Sequence, residues 1–173
     1  MEQYVPDLYK KNIYIIDYNK LKTRGIKCLL FDLDNTLVPY NEKVPSKKNI
    51  ELFKKIKELG FKVILFTNSG KRRVKPFKEM LDVEAIYRCF KPSPKKFEKV
   101  LNDYKYNQSQ VAIIGDQILT DVVGGNRVGI TTILVNPVSK KDFIFTKFNR
   151  HRENKLIKKL SKQDLFYKGR YYD

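Results

Sequence analysis

Two aspartates stand two positions apart at the end of an apolar run, in the segment FDLDNTLV at 31–38. If that run is a strand, the side chains of Asp32 and Asp34 point the same way and lie roughly 6.5 Å apart along it. One carboxylate can then attack a phosphorus atom while the other gives a proton to the departing oxygen. The spacing therefore indicates phosphoryl transfer, with Asp32 as nucleophile and Asp34 as general acid and base.

Further polar residues follow the next apolar runs, where a parallel sheet would bring the strand ends to one crevice. Carboxylates gathered in one crevice raise one another's pKa unless a cation separates them. Mg²⁺ is the natural candidate, because it prefers oxygen ligands and keeps coordination sites for substrate phosphate. The expected metal ligands are Asp32, Asp34, Asp116 and Asp121. The expected donors to the phosphoryl oxygens are Thr67, Asn68 and Lys91, which would supply positioning and charge stabilisation.

Each of these residues also has a plainer interpretation. Asp32 and Asp34 could close a turn through Asx hydrogen bonds, and the polar residues after the second apolar run could belong to an ordinary loop. Lys91 is one of many lysines, and Asp121 could be a carboxylate favoured by a helix N-terminus. The order of all these residues along the chain favours a shared site over separate explanations.

The elements that must position them alternate along the chain, which is typical of a parallel sheet with crossover helices. The predicted strands are 28–33, 62–67, 83–89, 110–116 and 131–136. The predicted helices are 46–60, about 71–80, 93–104 and 118–129, with glycines closing the last one. The fold class is therefore α/β: a doubly wound, Rossmann-like parallel sheet of about five strands with flanking helices.

Four segments together resemble the motifs of the haloacid dehalogenase (HAD) superfamily of phosphatases. They are FDLDNT at 31–36, Thr67-Asn68, Lys91 within FKPSP, and GDQILTD at 115–121. More narrowly, DLDNTLV, GDQILTDVVGGNRVG, TTILVNPV and TKFNR are similar to the YqeG family, whose eukaryotic relatives are mitochondrial phosphatidylglycerophosphate phosphatases. The resemblance runs from about Leu21 to Arg150. It implies an HAD-like fold, a Mg²⁺-dependent phosphomonoesterase of subfamily IIIA, and a lipid phosphate as substrate.

The spacing of these segments bears on how the substrate reaches the site. About 30 residues separate the first segment from the second, and roughly 20 separate the second from Lys91, which leaves room for a crossover helix but none for a cap domain. An open crevice suits a phosphate presented by something large. The net charge of +17 predicts attraction to polyanions, and anionic lipid is the first choice among them.

The end of the chain carries a large part of the net charge. Residues 138–173 hold 11 Lys or Arg against 4 Asp or Glu, and their last part, 151–173, is expected to be a basic aromatic tail. Leu156, Ile157 and Leu160 lie among cations there and could contact a membrane interface. Solubility or biased composition is an equally good explanation of the lysines.

Composition limits the other possibilities. A chain of 173 residues most simply forms a single domain, 1–173, with a core at about 21–150. The apolar runs are too short to span a bilayer, and two cysteines are too few for a disulfide framework. We therefore expect a cytoplasmic protein that could bind the inner face of the membrane. Cys28 and Cys89 lack the arginine that a thiol phosphatase loop needs, and His151 has no triad partner nearby.

The sequence thus predicts a phosphomonoester hydrolase that forms an aspartyl-phosphate and acts on phosphatidylglycerophosphate. Two alternatives stay open. One is a phosphatase of the same kind that acts on nucleic-acid ends or phosphoproteins. The other is a nucleic-acid-binding protein without catalysis, for which the charge would be the main evidence.

Overall fold

The computed structural model describes residues 1–139 and 144–173, except the side chains of residues 144–147. It contains a six-stranded sheet whose strands pair in parallel. The strands are β1 (Leu8–Lys10), β2 (Cys28–Phe31), β3 (Lys62–Phe66), β4 (Glu84–Ile86), β5 (Val111–Gly115) and β6 (Thr131–Val135). Their order across the sheet is β1-β6-β5-β2-β3-β4. The predicted doubly wound α/β fold is confirmed.

In the described chain, five helices lie between successive strands and a sixth follows β6, and the four predicted helical regions are all present. They are α1 (Tyr18–Thr23), α2 (Lys47–Glu58), α3 (Lys71–Leu81), α4 (Lys95–Asp103), α5 (Val123–Val128) and α6 (Ile144–Lys162). The single helix predicted over 118–129 is divided into a π-helical turn, Ile118–Val122, and α5. Gly129, with φ of 75°, ends α5, so the glycines close a helix as expected.

Three strands differ from the prediction by more than one residue at an end. β2 ends at Phe31 and not at residue 33, so Asp32 and Asp34 follow the strand. β1 is a sixth strand within the lead-in, and it pairs with β6 more than 120 residues away, a partner that a local pattern cannot reveal.

β4 is shorter than the predicted 83–89, because the chain leaves the sheet after Ile86. Arg88 and Phe90 there have positive φ angles of 49° and 53°, which no strand accommodates.

The alternation of β2 shows how the sheet divides the core. Leu29 and Phe31 belong to the cluster on the α2 and α3 side, where Phe31 packs on Phe53. Cys28 and Leu30 belong to the cluster on the α4 side. Both faces of the strand are buried, which explains its unbroken apolar run.

The first turn of α2 fixes the loop that leaves β2. Ser46 and Asn49 form a capping box at this N-terminus, a pairing that satisfies otherwise unpaired backbone donors. Asn49 is fully buried, and its amide nitrogen also donates to the Leu37 carbonyl at 3.2 Å and to the Tyr14 hydroxyl at 2.9 Å. The loop after the predicted nucleophile is therefore tied to a helix.

No inserted domain interrupts the described chain between β2 and β4, so the site has no cap.

The basic end of the chain packs on β1 and β6. Leu160 is completely buried in a cluster that contains Tyr9 and Phe166, and Leu156 and Ile157 pack against that cluster. For Leu160 the prediction of a membrane contact is therefore wrong, because this side chain packs inside the protein. Leu156 and Ile157 are only partly buried, and their contact with a membrane stays a prediction. In the part of the chain that the structure describes, no helix is long and apolar enough to cross a membrane.

Candidate active site

The strand ends bring the seven predicted residues to the same edge of the sheet. Asp32, Asp34, Thr67, Asn68 and Lys91 line one crevice of about 600 Å³. Asp116 follows β5, the neighbour of β2, and Asp121 lies in the π-helical turn after it. Both of these aspartates are buried beside Asp32. The crevice lies beyond the carboxyl ends of the strands, where this fold places its ligands.

Three carboxylates and one ammonium form the floor of the crevice. Asp32, Asp116 and Asp121 each offer a carboxylate oxygen, and these oxygens lie within 4.8 Å of one another. The Lys91 ammonium donates to Asp32 Oδ1 at 2.8 Å, to Asp121 Oδ1 at 2.6 Å and to the Phe66 carbonyl at 3.0 Å. All three of its protons are thereby used.

Burial and charge act in opposite directions on these groups. Burial raises the pKa of Asp32, which the Lys91 ammonium opposes and the Asp121 carboxylate reinforces. Burial also raises the pKa of Asp116, against the effect of the Arg150 guanidinium. For Lys91, burial alone would lower the pKa, but Asp121 and Asp32 raise it above its ordinary value. Lys91 is therefore a permanent cation, and the carboxylates are sensitive to further positive charge.

The donor set fits a hard divalent cation. Three buried carboxylates within reach of one another supply the oxygen ligands that such an ion prefers. Lys91 and Arg150 together offset two of the three negative charges. One divalent ion and one incoming phosphate would add nearly balancing charges.

The carboxylate of Asp34 has different partners from the other three. Asp34 Oδ2 accepts a hydrogen bond from Ser69 Oγ at 2.5 Å, and Oδ1 accepts from Arg73 Nε at 3.1 Å and Nη2 at 2.9 Å. Its side chain is 29% exposed. This position in the crevice wall suits a group that exchanges protons with a leaving group. The carboxylate lies outside the group of three, and its share in metal binding stays a prediction.

Thr67 and Asn68 hold the crevice wall in shape. Thr67 Oγ1 is buried and accepts from the Ser69 backbone N–H at 3.1 Å. The Asn68 amide exchanges two hydrogen bonds with the Lys91 backbone, accepting at 2.8 Å and donating at 3.3 Å. Here Asn68 orients Lys91, and its predicted donation to a phosphoryl oxygen remains untested.

Two residues within the motifs, Thr36 and Gly115, were not predicted to have a role. The Thr36 hydroxyl lies between Asp32 Oδ2, at 3.3 Å, and Asp116 Oδ1, at 3.2 Å. A Cβ atom at Gly115 would lie 2.2 Å from Cγ of Asp121, so glycine is needed for Asp121 to reach the floor. Their position within the aspartate motifs was the available signal.

Arg150 and Glu153 reach the site from α6. Arg150 Nη1 donates to the Asp116 carbonyl at 2.9 Å and to Glu153 Oε2 at 3.1 Å, and Nη2 pairs with Asp116 Oδ2. Glu153 Oε1 accepts from the backbone N–H groups of Ile118 and Leu119. The last helix thus contacts both a candidate metal ligand and the turn that carries Asp121. No role was predicted for Arg150, although it is the last residue of the TKFNR segment that resembles the YqeG family.

The cysteines take no part in the chemistry. Both are buried, and burial raises the pKa of Cys28 and of Cys89 to about 12. A thiol with that pKa is inert at neutral pH.

Comparisons with known proteins agree with this geometry. Residues 29–91 match a family model described as haloacid dehalogenase-like hydrolase, and residues 88–141 match one described as HAD-hydrolase-like. A Bacillus subtilis protein named "Probable phosphatase YqeG" is 41% identical over 160 residues, which cover 92% of this chain and 93% of that protein. The chain belongs to the HAD superfamily of phosphatases. Its resemblance to the YqeG family is confirmed over most of its length.

More distant relatives share this HAD core. An Arabidopsis thaliana protein named phosphatidylglycerophosphate phosphatase 1, chloroplastic/mitochondrial, is 28% identical over 149 residues, which cover 80% of this chain and 42% of that protein. The structure of a putative HAD superfamily (subfamily III A) hydrolase from Legionella pneumophila superposes with a TM-score of 0.56 at 20% identity, over 69% of this chain and 71% of that one. The second likeness shows the fold alone.

Proposed function

We propose that this HAD phosphatase hydrolyses phosphatidylglycerophosphate to phosphatidylglycerol and inorganic phosphate at a membrane surface, with Mg²⁺ as cofactor. The observation that carries the proposal is the open crevice that both Asp32, held by Lys91, and Asp34, held by Arg73 and Ser69, line. One carboxylate is placed to attack phosphorus, and the other to move a proton.

The reaction proceeds in two displacements. In the first, an oxygen of the Asp32 carboxylate attacks phosphorus, the ester P–O bond breaks, and protonated Asp34 gives its proton to the departing alkoxide. In the second, Asp34 takes a proton from a water molecule whose oxygen attacks the phosphorus of the aspartyl-phosphate. The bond to Asp32 then breaks and inorganic phosphate leaves. Lys91 remains charged throughout and stabilises the phosphoryl oxygens.

Asp32, Asp116 and Asp121 would hold the magnesium ion. The sequence also predicts Asp34 as a ligand. When bound, the ion neutralises negative charge on the phosphoryl group as it is transferred. Thr36 lies between Asp32 and Asp116 and keeps these two ligands in place.

Three observations support a lipid substrate. A relative named for phosphatidylglycerophosphate matches most of this chain, and the crevice has no cap to enclose a small metabolite. The net charge of +17 favours anionic surfaces. Leu160 is buried and Leu156 and Ile157 are partly buried against the protein. The best candidates for membrane contact are therefore Phe90, 69% exposed beside Lys91, and Phe148, 67% exposed beside Asn149 of the crevice wall. We propose that the protein acts in the cytoplasm, on the inner face of the membrane.

The test is phosphate release in Mg²⁺ by the wild type and by Asp32→Asn. The substrates are phosphatidylglycerophosphate in mixed micelles, soluble phosphomonoesters, and oligonucleotides with 5′ or 3′ phosphates. We expect a clear preference for the lipid and a loss of at least about 10³-fold in the variant, because the nucleophile is gone. Asp103→Asn is the matched control, since Asp103 is exposed and pairs only with Lys99 among the described residues.

The other outcomes separate the alternatives. If only a soluble ester or an oligonucleotide is hydrolysed, the proposed mechanism stands and the proposed lipid substrate is wrong. No Mg²⁺-dependent turnover of any substrate, together with salt-sensitive RNA binding that Asp32→Asn leaves intact, would replace the enzyme proposal by a nucleic-acid-binding role.

A further inference from the structure

A second groove lies beside the active-site crevice and is lined mainly by cations. It has a volume of about 660 Å³ and is lined by Lys43, Gly70, Lys71, Arg72, Arg73, Pro76 and Arg88. None of the described residues that line it carries a carboxylate. Side chains of like charge around one groove repel one another, so this arrangement favours a bound anion.

Among the described residues, four of the five cations of this basic groove lack the acidic partners that nearby lysines have. Lys75, on the same helix, pairs with Glu79, and Lys57 pairs with Asp82. Over the described residues, 1–139 and 144–173, no carboxylate pairs with the other groove cations, which are Lys43, Lys71, Arg72 and Arg88. Arg73 alone in the groove is paired, with Asp34.

Arg73 forms the wall between the basic groove and the crevice. Its guanidinium donates to Asp34 Oδ1 through Nε and Nη2, and Nη1 contacts the Glu42 carbonyl. The basic groove therefore opens next to the carboxylate that serves the leaving group. A substrate whose phosphorus sits at Asp32 would direct its alcohol portion past Asp34 toward these cations.

The backbone on the far side of the basic groove is held in an unusual conformation. Arg88 has φ of 49°, which is costly for a long side chain, and its N–H donates to the Ser69 carbonyl at 2.9 Å. Its Nε lies 3.8 Å from the position of a Cβ at Gly70. Gly70 is the N-cap residue of α3 and supplies no side-chain hydrogen bond to the helix end. The guanidinium thus lies against a helix end that itself favours anions.

We propose that the basic groove binds a second phosphate group, carried on the alcohol side of the phosphomonoester. This inference rests on the proposed function and sharpens it. The preferred substrates are molecules in which a phosphodiester lies a few bonds from the phosphate that is removed. The same groove chemistry would also accept the phosphodiester of a neighbouring lipid in an anionic membrane.

The first experiment compares two soluble substrates that differ in the second phosphate. Glycerol 3-phosphate has none, and the deacylated head group glycerophosphoglycerol phosphate has one. In the wild type we expect kcat/KM to be larger for the deacylated head group. In the double variant Arg72→Ala/Arg88→Ala we expect this preference to fall by roughly tenfold or more through KM, because two charge-assisted contacts are lost. Lys78→Ala, an exposed lysine of α3 outside the groove, should keep the preference.

A second experiment distinguishes the source of the phosphodiester. Phosphatidylglycerophosphate is presented in neutral detergent micelles or in vesicles rich in phosphatidylglycerol. A defect of the double variant in both settings assigns the groove to the substrate's own phosphodiester. A defect confined to anionic vesicles assigns it to neighbouring lipids, and the phosphate site stands.

Two results would overturn the inference. One is equal loss on glycerol 3-phosphate and on the deacylated head group, which leaves the preference unchanged. The other is no loss on any substrate in a variant that melts at the wild-type temperature. Calorimetric titration with glycerophosphoglycerol, which carries only the phosphodiester, separates this inference from the proposed function. If the wild type binds this compound and the double variant does not, the inference of a phosphate site in the groove stands even if no lipid is hydrolysed.

Discussion

At the scale of single residues, the site depends on side chains that hold other side chains. Lys91 touches Asp32 and Asp121, Asn68 holds the Lys91 backbone, and Thr36 lies between Asp32 and Asp116. A substitution at any of these positions leaves a buried polar group without its partner, which costs more than the lost contact alone. The absence of side-chain volume matters equally at Gly115.

Gly115→Ala should lower both activity and stability. The added Cβ would lie 2.2 Å from Asp121 Cγ, so Asp121 must move away from Lys91, at a cost of roughly 1–3 kcal/mol in the free energy of unfolding. Chemical denaturation and kcat for a soluble phosphomonoester measure the two effects. Gly70→Ala is the stability control, because its φ is −85° and no atom lies closer than 3.8 Å to the added Cβ. Equal unfolding free energies for both variants would contradict the packing argument.

The two cysteines should resist alkylation while the protein is folded. Burial raises the pKa of Cys28 and Cys89 to about 12, so each thiol stays protonated, and only the thiolate reacts quickly. Mass spectrometry after iodoacetamide treatment between pH 7 and pH 9 should find neither residue modified. Both should react in denaturant. Fast alkylation of the folded protein with loss of activity would show that a cysteine is accessible at the site.

At the scale of secondary structure, α6 is the element that positions two of the carboxylates of the active site. Its Arg150 binds Asp116 through side chain and backbone, and its Glu153 accepts from the N–H groups that begin the turn carrying Asp121. Two of the three clustered carboxylates are thus positioned by a helix outside the core motifs. Arg150 acts through Asp116 and is a positioning residue.

Arg150→Ala should reduce kcat by roughly tenfold to a hundredfold and raise the Mg²⁺ concentration needed for half-maximal activity. Loss of the guanidinium leaves Asp116 and Glu153 buried without a counter-charge, which costs about 3 kcal/mol or more in stability. Titration of Mg²⁺ at saturating substrate, with thermal denaturation in parallel, measures both. Arg150→Lys should restore part of the activity, and Arg152→Ala, at an exposed position of the same helix, should change neither. An unchanged Mg²⁺ requirement in Arg150→Ala would limit this residue to a structural role.

At the scale of the whole molecule, the end of the chain completes the sheet edge formed at its beginning. Tyr9 of β1 packs on Phe166 and Tyr171, and its backbone exchanges two hydrogen bonds with Tyr172. The basic tail is therefore part of the folded structure. Deletion of residues 151–173 would remove Glu153 and Leu160 as well, so membrane binding must be tested with surface substitutions.

Phe166→Ala should destabilise the protein by about 3–5 kcal/mol, because Phe166 is 2% exposed in the cluster around Tyr9. The neighbouring Leu165, 37% exposed, provides the control, and Leu165→Ala should cost less than about 1 kcal/mol. Denaturant titration gives both values. Similar small costs for the two variants would mean that the tail contributes little to the fold.

The sequence by itself determined the parallel sheet, most of its strands and helices, and the residues of the candidate site. Each of these follows from a local pattern. Buried strands are continuous apolar runs, and the apolar residues of a helix recur about every 3.6 residues. Ser46 caps the helix that was expected to begin there. The motif residues are also local, because a strand of known direction places its last residues at a known edge.

Only the tertiary structure decided which charges meet. Asp34 pairs with Arg73 away from the three clustered carboxylates, Arg150 reaches Asp116 from 34 residues further along the chain, and β1 finds its partner in β6. It also packed the aliphatic side of α6 on the protein and left four of the five groove cations without a carboxylate partner among the described residues. Such contacts join segments that are far apart in the chain, and separation along the chain does not show which segments are close in space. They depend on packing of the whole chain, and a basic residue that binds the active site looks in sequence like one that binds water.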